Sequence, residues 1–535
     1  MSMPKSAPSK PASAFDADGI KSTIEQLVEE VRALYLLDDV PWVVGYSGGK
    51  DSTAVLQLTW MAVSGLPKNE RHKPVHVIST DTLVENPIVA SWVSHSLRVM
   101  GESAEAQDLP IEPHRLTPTT QNSFWVNLLG KGYPAPRHKF RWCTERLKIM
   151  PANTFINDVV QTCGEAILVL GTRKAESAAR AKSMAKHEAK RLRAKLSPNA
   201  SLPNSQIYSP VEDWSNDDVW LFLMQYENPW GYNNKDLLTM YQGASQDGEC
   251  PLVVDTTTPS CGDSRFGCWV CTMVSEDRSM RAMIQNDGEK HWMLPLLKFR
   301  DKLAVKNEAG RWDDRSLRDW RRKSGGTTLH NERLVHGPYT QATRMEWLEE
   351  LLLVQKWLKE NGPAEVRDVE LITLAELEEI RRIWVVDKHE IEDCLPEIYA
   401  KALGEPYPGV PFHQNSVLGQ KELGMLKGLC AEGGEEGAPM LYQMLRGLLD
   451  VEQRYRTMSK RKGLYGELER VIRAHQFSTE VEAREAALAS KSEHEAIEHT
   501  FDIVSEEAPE YVAGDEDAVG PGSLPFEDNV NTQPA

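Results

Sequence analysis

The chain has 535 residues, a net charge of −18 and eight cysteines. That length accommodates two or three domains with a sizeable core, and so few cysteines exclude a disulfide scaffold. No apolar run is long enough to span a bilayer and nothing near the N-terminus reads as a signal peptide, which predicts a cytoplasmic protein with no membrane partner.

Residues 1–15, rich in Pro, Ser and Lys, read as a flexible leader. Ser22 to Leu37 carries apolar residues at helical spacing. Trp42 to Tyr46 reads as a short buried strand, and an apolar helical stretch follows from Asp51. Between them stands Ser47-Gly48-Gly49-Lys50-Asp51-Ser52. Two glycines let the backbone approach a ligand and turn successive N–H groups inward. The helix adds its positive N-terminal end, and Lys50 adds a full charge. The combination predicts a phosphate cradle, though not a Walker A loop, whose glycines are spaced differently.

Val75 to Thr80 is a second strand, with Asp81 and Thr82 at its carboxyl end, where open α/β sheets place ligand groups. A helix follows over Asn86 to Met100, then an extended, proline-interrupted stretch from Gln107 to Pro118. Ala166 to Leu170 forms another buried strand and runs into Gly171-Thr172-Arg173. Gln206 to Val211 is a further short strand, after which Ser215 caps a helix. Strands alternating with helices predict an α/β fold over 16–230, a doubly wound, mostly parallel sheet. A loop-rich, cysteine-rich and basic insert over 231–335 and a helical region over 336–480 complete the ordered part.

Charge is unevenly placed. Residues 500–535 hold nine Asp and Glu and no Lys or Arg, so 481–535 is expected to be an acidic tail, largely disordered. Residues 137–195 hold fourteen Lys and Arg against five acids. Two basic segments are candidate DNA-backbone contacts. One runs from Arg180 to Lys195. The other runs from Lys298 to Lys323, where Trp312 and Trp320 interleave with Arg311, Arg315, Arg318, Arg321 and Arg322. No Ser-His-Asp set and no His-rich metal motif stands out; His138, His291 and His330 read as surface or structural residues.

Four stretches carry a resemblance: Ser47 to Ser52, Ser79 to Thr82, Gly171-Thr172-Arg173 with Glu176, Ser177 and Arg180, and Ser209 to Ser215 with Asp217 to Trp220. Together they resemble the PP-loop ATP pyrophosphatases with an adenine nucleotide α-hydrolase-like fold, in particular adenylyl- and phosphoadenylyl-sulphate reductases. The resemblance implies that Ser47, Gly48, Gly49, Lys50, Asp51, Ser52, Asp81, Gly171, Arg173 and Arg180 bind ATP, with Lys50, Asp51 and Arg173 catalytic. Asp51 or Asp81 is then expected to help hold Mg²⁺. Cys143, Cys261, Cys268 and Cys271 stand where the family places metal ligands. Four thiolates suit zinc or a [4Fe–4S] cluster, and the resemblance favours the cluster. Cys163, Cys250, Cys394 and Cys430 have no partner at ligand spacing.

Two departures narrow the family. The C-terminal Glu-Cys-Gly motif of thiol-dependent reductases is missing, since Cys430 lies in Leu429-Cys430-Ala431, and so is the Cys-Cys doublet of iron–sulphur reductases. Instead, Ser260-Cys261-Gly262-Asp263-Ser264-Arg265-Phe266-Gly267-Cys268-Trp269-Val270-Cys271 and the helical extension resemble the DndC family, the sulphurtransferase subunits of bacterial DNA phosphorothioation systems. That resemblance implies ATP-dependent sulphur transfer to DNA backbone phosphate, with DNA, a cysteine desulphurase and other subunits of the complex as partners. A sulphonucleotide reductase of sulphate assimilation is the alternative. A tRNA-thiolating enzyme and a nucleotide-sensing scaffold fit the motifs less well.

Overall fold

A computed structural model describes residues 13–191, 193–244, 267–410, 419–432 and 437–506. Helix α1 (Gly19–Leu36) leads into strand β1 (Trp42–Gly45), and the strand turns directly into α2 (Lys50–Ser64). Strand β2 (Val75–Thr80), helix α3 (Pro87–Ala106) and strand β3 (Ile111–Leu116) follow. The chain continues through α4 (Met150–Cys163), β4 (Ala166–Val169), α5 (Ala178–Glu188), β5 (Ser197–Pro198), β6 (Ser205–Tyr208) and α6 (Asn216–Gln225).

These strands form one sheet in the order β3-β2-β1-β4-β6-β5, parallel throughout except for the β5 edge. The expected doubly wound sheet is therefore present. From β1 the chain winds outward to β3, then crosses back to place β4 on the other side of β1. The carboxyl ends of β1 and β4 thus flank the switch point, the place where such sheets bind ligands. β1 is buried on both faces, as a central parallel strand should be. Trp42 and Val44 enter one apolar cluster with α1, α2 and α6, while Val43 enters another beneath α4. Helix α2 is buried on most of its circumference, so the loop before it has little freedom to shift.

The region from 231 onward is more helical than its Gly, Pro and Asp content suggests. It contains α7 (Asn234–Gly243), α8 (Arg278–Asn286) and α9 (Leu294–Leu303). Asp277 caps α8 by accepting from Met280 N at 2.9 Å, and Met280, Met283 and Ile284 fix its buried side. Beyond come α10 (Gln341–Asn361), α11 (Ala364–Arg367), α12 (Leu374–Arg382), α13 (Leu395–Leu403), α14 (Gln420–Glu432), α15 (Ala438–Tyr455) and α16 (Leu464–Ala474), as the helical pattern predicts. A separate apolar cluster joins α8 to α13 with residues 124–147 and Trp269.

The acidic tail needs correction. Its first half is helix α17 (Glu480–Glu506), because Glu, Ala, Lys and Arg dominate there and favour helix. Its start is docked: Ala483 is fully buried, Glu480 pairs with His336 at 2.9 Å, and Arg484 donates to the Glu332 carbonyl. Residues 507–535 lie outside the described part. No helix among the described residues is long and apolar enough to cross a membrane.

Candidate nucleotide cradle and cysteine site

The turn after β1 is shaped by two contacts that only glycine permits. Gly48 has φ +74°, and a Cβ there would lie 2.5 Å from Val93 Cγ2. Gly171, just past β4, has no room either: its Cβ would fall 2.8 Å from the backbone carbonyl of Asp51. The end of β4 is therefore pressed against the first turn of α2, which closes the switch point to a small concave site. Within it, Ser52 Oγ accepts from Ser47 N at 3.1 Å and donates to the Gly49 carbonyl at 3.0 Å. These bonds hold the loop with the leading N–H groups of α2 at its mouth, where a helix has no acceptors of its own.

Charges line this mouth. Asp51 is held on both oxygens, by Lys50 Nζ at 2.9 Å and by Arg173 Nε at 2.7 Å. Arg173 is 4 % exposed; it also donates to the Trp214 carbonyl at 3.1 Å, while its own N–H is taken by Glu176. Burial pulls the Lys50 ammonium below its ordinary pKa, opposed by Asp51. An arriving phosphate would add a second anionic contact beside Asp51. The hydroxyl of Tyr241 on α7 lies 3.5 Å from Lys50 N, and burial pushes its pKa up to about 12. The hydroxyl therefore stays protonated.

Three of the four motif stretches meet here. The segment after β4 is tied to the one after β6 by Thr172 Oγ1 and Ser209 Oγ at 2.8 Å and by Lys174 with Asp213 at 2.8 Å. Asp81 instead pairs with Arg115 of β3 and accepts from Leu83 N at 2.8 Å. Arg180 sits half-exposed on the first turn of α5, paired with Glu176 at 3.4 Å. Asp51 and Asp81, either of which was expected to help hold Mg²⁺, thus already carry cationic partners, and neither presents a free carboxylate to the metal. Tyr241 and the Trp214 carbonyl went unnoticed in the sequence. The Asp-Trp segment was a pointer to the second, but a lone tyrosine on a helix gives no signal.

The cysteine site is built by packing. Trp142 and Trp269, the neighbours of Cys143 and Cys268, are both buried in the cluster that also holds Phe124, Trp125 and Phe299. Trp142 stacks on Phe124 at 5.4 Å, and Trp269 packs on Trp125 at 5.8 Å. Each indole therefore anchors the thiol beside it. Cys143 opens a π-helical segment, Thr144–Ile149, a form often found at functional sites. Arg300 of α9, 1 % exposed, donates to the carbonyls of Cys271 at 2.9 Å, Val274 at 2.5 Å and Ser275 at 3.2 Å. It clamps the Cys-x-x-Cys loop, and nothing in a basic run marks one arginine as buried.

This loop is joined to the sheet. Trp269 N donates to Val84 O at 3.0 Å, Asn86 N donates to Gly267 O, and Thr82 Oγ1 lies 3.3 Å from Cys268 Sγ. Thr82 stands just past β2, the neighbour of β1, so thiols and phosphate cradle share the carboxyl edge of the sheet. Burial pushes the Cys268 thiol up to about 12, with Lys148 pulling the other way, and it raises Cys143 too. A metal centre would supply the positive charge that these thiols lack. Cys261 lies outside the described residues. Cys143, Cys268 and Cys271 offer soft thiol donors of the kind that either zinc or a [4Fe–4S] cluster takes.

Many of the basic residues are occupied. Arg191 pairs with Glu212, Arg193 with Asp38 and Glu165, and Lys195 with Glu30. Arg318 bonds the Gly337 carbonyl and Asp314, and buried Arg321 bonds Asp319, Gln443 and the Ala474 carbonyl. Much of the second basic segment thus serves as a set of tertiary clamps.

Residues 41–273 match the model of the phosphoadenosine phosphosulfate reductase domain. The matched stretch is similar to that domain. It spans the sheet, the cradle and the Cys-x-x-Cys loop. A stretch of 283 residues is 24% identical to the uncharacterized protein MJ0066 of Methanocaldococcus jannaschii, covering 53% of this chain and 46% of that protein, less than half the relative's length. Among solved structures, phosphoadenylyl-sulfate reductase from Candida auris in a phosphate complex is 14% identical with TM-score 0.26, covering 42% of this chain and 93% of the other. The U34-tRNA thiolase NcsA from Methanococcus maripaludis with its [4Fe-4S] cluster is 12% identical with TM-score 0.24, covering 55% and 85%. Candida glabrata FMN adenylyltransferase, in complex with FAD and inorganic pyrophosphate, is 10% identical with TM-score 0.25, covering 56% and 81%. Likenesses this weak carry no argument about function.

Proposed function

We propose that the chain transfers sulphur to a DNA backbone phosphate at the expense of ATP. One observation carries this reading: the phosphate cradle and the thiols sit at the carboxyl ends of the adjacent strands β1 and β2, joined through Thr82 and Cys268. Strands pack about 4.8 Å apart, so both sites open on one stretch of the sheet's carboxyl edge.

In the first step a non-bridging oxygen of the DNA phosphate attacks the α phosphorus of ATP. The bond to the β phosphate breaks, and pyrophosphate leaves with its electron pair. Lys50 and the leading amides of α2 stabilise the charge that develops on it, an electrostatic contribution of about 10²–10³ in rate for a well-placed donor. Arg173, fixed by Asp51 and the Trp214 carbonyl, orients the α phosphate. Hydrosulphide then attacks the DNA phosphorus, its proton passes to solvent, and AMP leaves carrying the original oxygen. The attack itself leaves sulphur at the sulphide level; sulphur arriving as a persulphide is first released as hydrosulphide by two electrons from a thiol reductant, which leaves as a disulphide. Cys143, Cys261, Cys268 and Cys271 would hold a [4Fe–4S] cluster, which would supply one-electron redox capacity when bound. Sulphur delivered by a cysteine desulphurase and DNA positioned by other subunits belong to the same proposal.

Mass spectrometry of DNA digested from cells carrying the intact system tests it. Sulphur-containing dinucleotides should be present and should vanish with Lys50→Ala or Cys271→Ser. If they persist and loss of the chain blocks growth on sulphate, the protein is a sulphonucleotide reductase instead.

A further inference from the structure

On the α4 face of the sheet, three metal-binding side chains converge. β2 and β3 pair in parallel with His76 opposite Glu112 and Ile78 opposite His114. Side chains two residues apart on a strand share a face, so His114 and Glu112 both lean towards His76. His76 Nδ1 lies 3.2 Å from His114 Nε2 and 3.1 Å from Glu112 Oε2, and those last two atoms are 3.7 Å apart. The same three atoms form all three sides of the triangle, and all lie within 4.8 Å of one another.

Without a cation this triangle is poorly satisfied. One proton between the two rings makes one hydrogen bond, and the remaining nitrogen and carboxylate lone pairs still face each other. An ion answers all three at once. The point in their plane equidistant from the donors lies about 1.9 Å from each, and zinc bonds nitrogen and carboxylate oxygen at about 2.0–2.1 Å. An ion with such bonds sits slightly out of the plane, as the centre of a tetrahedron sits above three of its corners. The arrangement is also held in place. Phe155 of α4 packs on both rings, at centroid distances of 5.6 Å from His76 and 4.7 Å from His114. Side-chain exposure rises from 16 % at His76 through 31 % at His114 to 56 % at Glu112, so the fourth position opens to water.

We propose that His76, Glu112 and His114 form a site for one divalent transition cation, zinc by ligand type, separate from the thiols and linking edge strand β3 to β2. Two imidazoles and one carboxylate with an open position match zinc and its neighbours in the series, and they exclude the all-oxygen preference of Mg²⁺ and Ca²⁺.

Equilibrium dialysis of the full-length chain against Zn²⁺ under anaerobic conditions, with zinc and iron both counted, tests this. One zinc per chain should bind, with affinity at least about tenfold weaker in Glu112→Gln and weaker again with His114→Gln, iron content unchanged in both. Zinc should raise the melting temperature of the wild type and leave that of the double variant where it was. Glu112 is half-exposed, so Glu112→Gln keeps the fold, and a matching far-ultraviolet spectrum checks it. No bound zinc in the wild type leaves a hydrogen-bonded trio only and overturns the proposal. So does zinc that survives both substitutions but is lost with Cys268→Ser.

Discussion

The cradle and the cysteine site share one edge of the sheet but rest on different cores. The cradle is a short loop between β1 and α2, braced by the fully apolar cluster around Trp42, Ala54 and Trp60. The thiols hang from Trp142 and Trp269 in the cluster built by α8 to α13. The loop of the cradle is a run of consecutive residues backed by Gly171, Arg173 and Tyr241, whereas Cys143 and the Cys-x-x-Cys loop are more than a hundred residues apart. In the proposed reaction, stability in the helical region is required for the sulphur step and not for nucleotide binding.

Lys50→Ala is the sharpest test of that separation. Pyrophosphate release should fall by about 10²–10³ while iron content and the melting curve stay unchanged. Loss of iron in the same variant would mean that the two regions form one unit. Trp269→Ala approaches from the other side. Removing a buried indole should cost about 3–5 kcal/mol of stability in chemical denaturation and deplete iron, with ATP still bound in equilibrium dialysis. Nucleotide affinity lost in parallel would break the comparison.

Gly171→Ala probes the contact between β4 and α2. The added Cβ would meet the Asp51 backbone at 2.8 Å, an overpacking that should cost about 1–3 kcal/mol. ATP cleavage should slow because Asp51 and Lys50 shift, and iron should be retained. An unchanged rate would show that the cradle tolerates movement of its floor.

The smallest effect concerns pH and the helical side alone. Burial lowers the His475 imidazole to about 4, with the carbonyl of Val471 accepting its N–H at 2.8 Å and Arg321 nearby disfavouring a second proton. The unfolded chain binds that proton near pH 6.5, before the folded one does. Stability from this group is therefore complete above pH 6.5 and declines as the pH falls towards 4. His475→Gln should flatten that slope in thermal melts, and the pH dependence of ATP binding near neutrality should not follow it.

The sequence by itself determined the alternating strands and helices, the turn at Gly48-Gly49 and the charged neighbours of the phosphate cradle. These depend on residues a few positions apart, whose periodicity and backbone freedom are local properties. It also showed which cysteines stand at ligand spacing, but not how Cys143 reaches the Cys-x-x-Cys loop. The tertiary structure alone decided which charges are available. Arg173 and Arg300 became buried clamps, Arg318 and Arg321 became ties between loops, and Asp51 and Asp81 acquired cationic partners. It also decided that His76 meets Glu112 and His114, since parallel pairing sets residues side by side across a helix that sequence spacing cannot see past. A charged side chain looks the same in a sequence whether it faces water or a carbonyl. Only the packing around it fixes its desolvation and its partner, and with them its role.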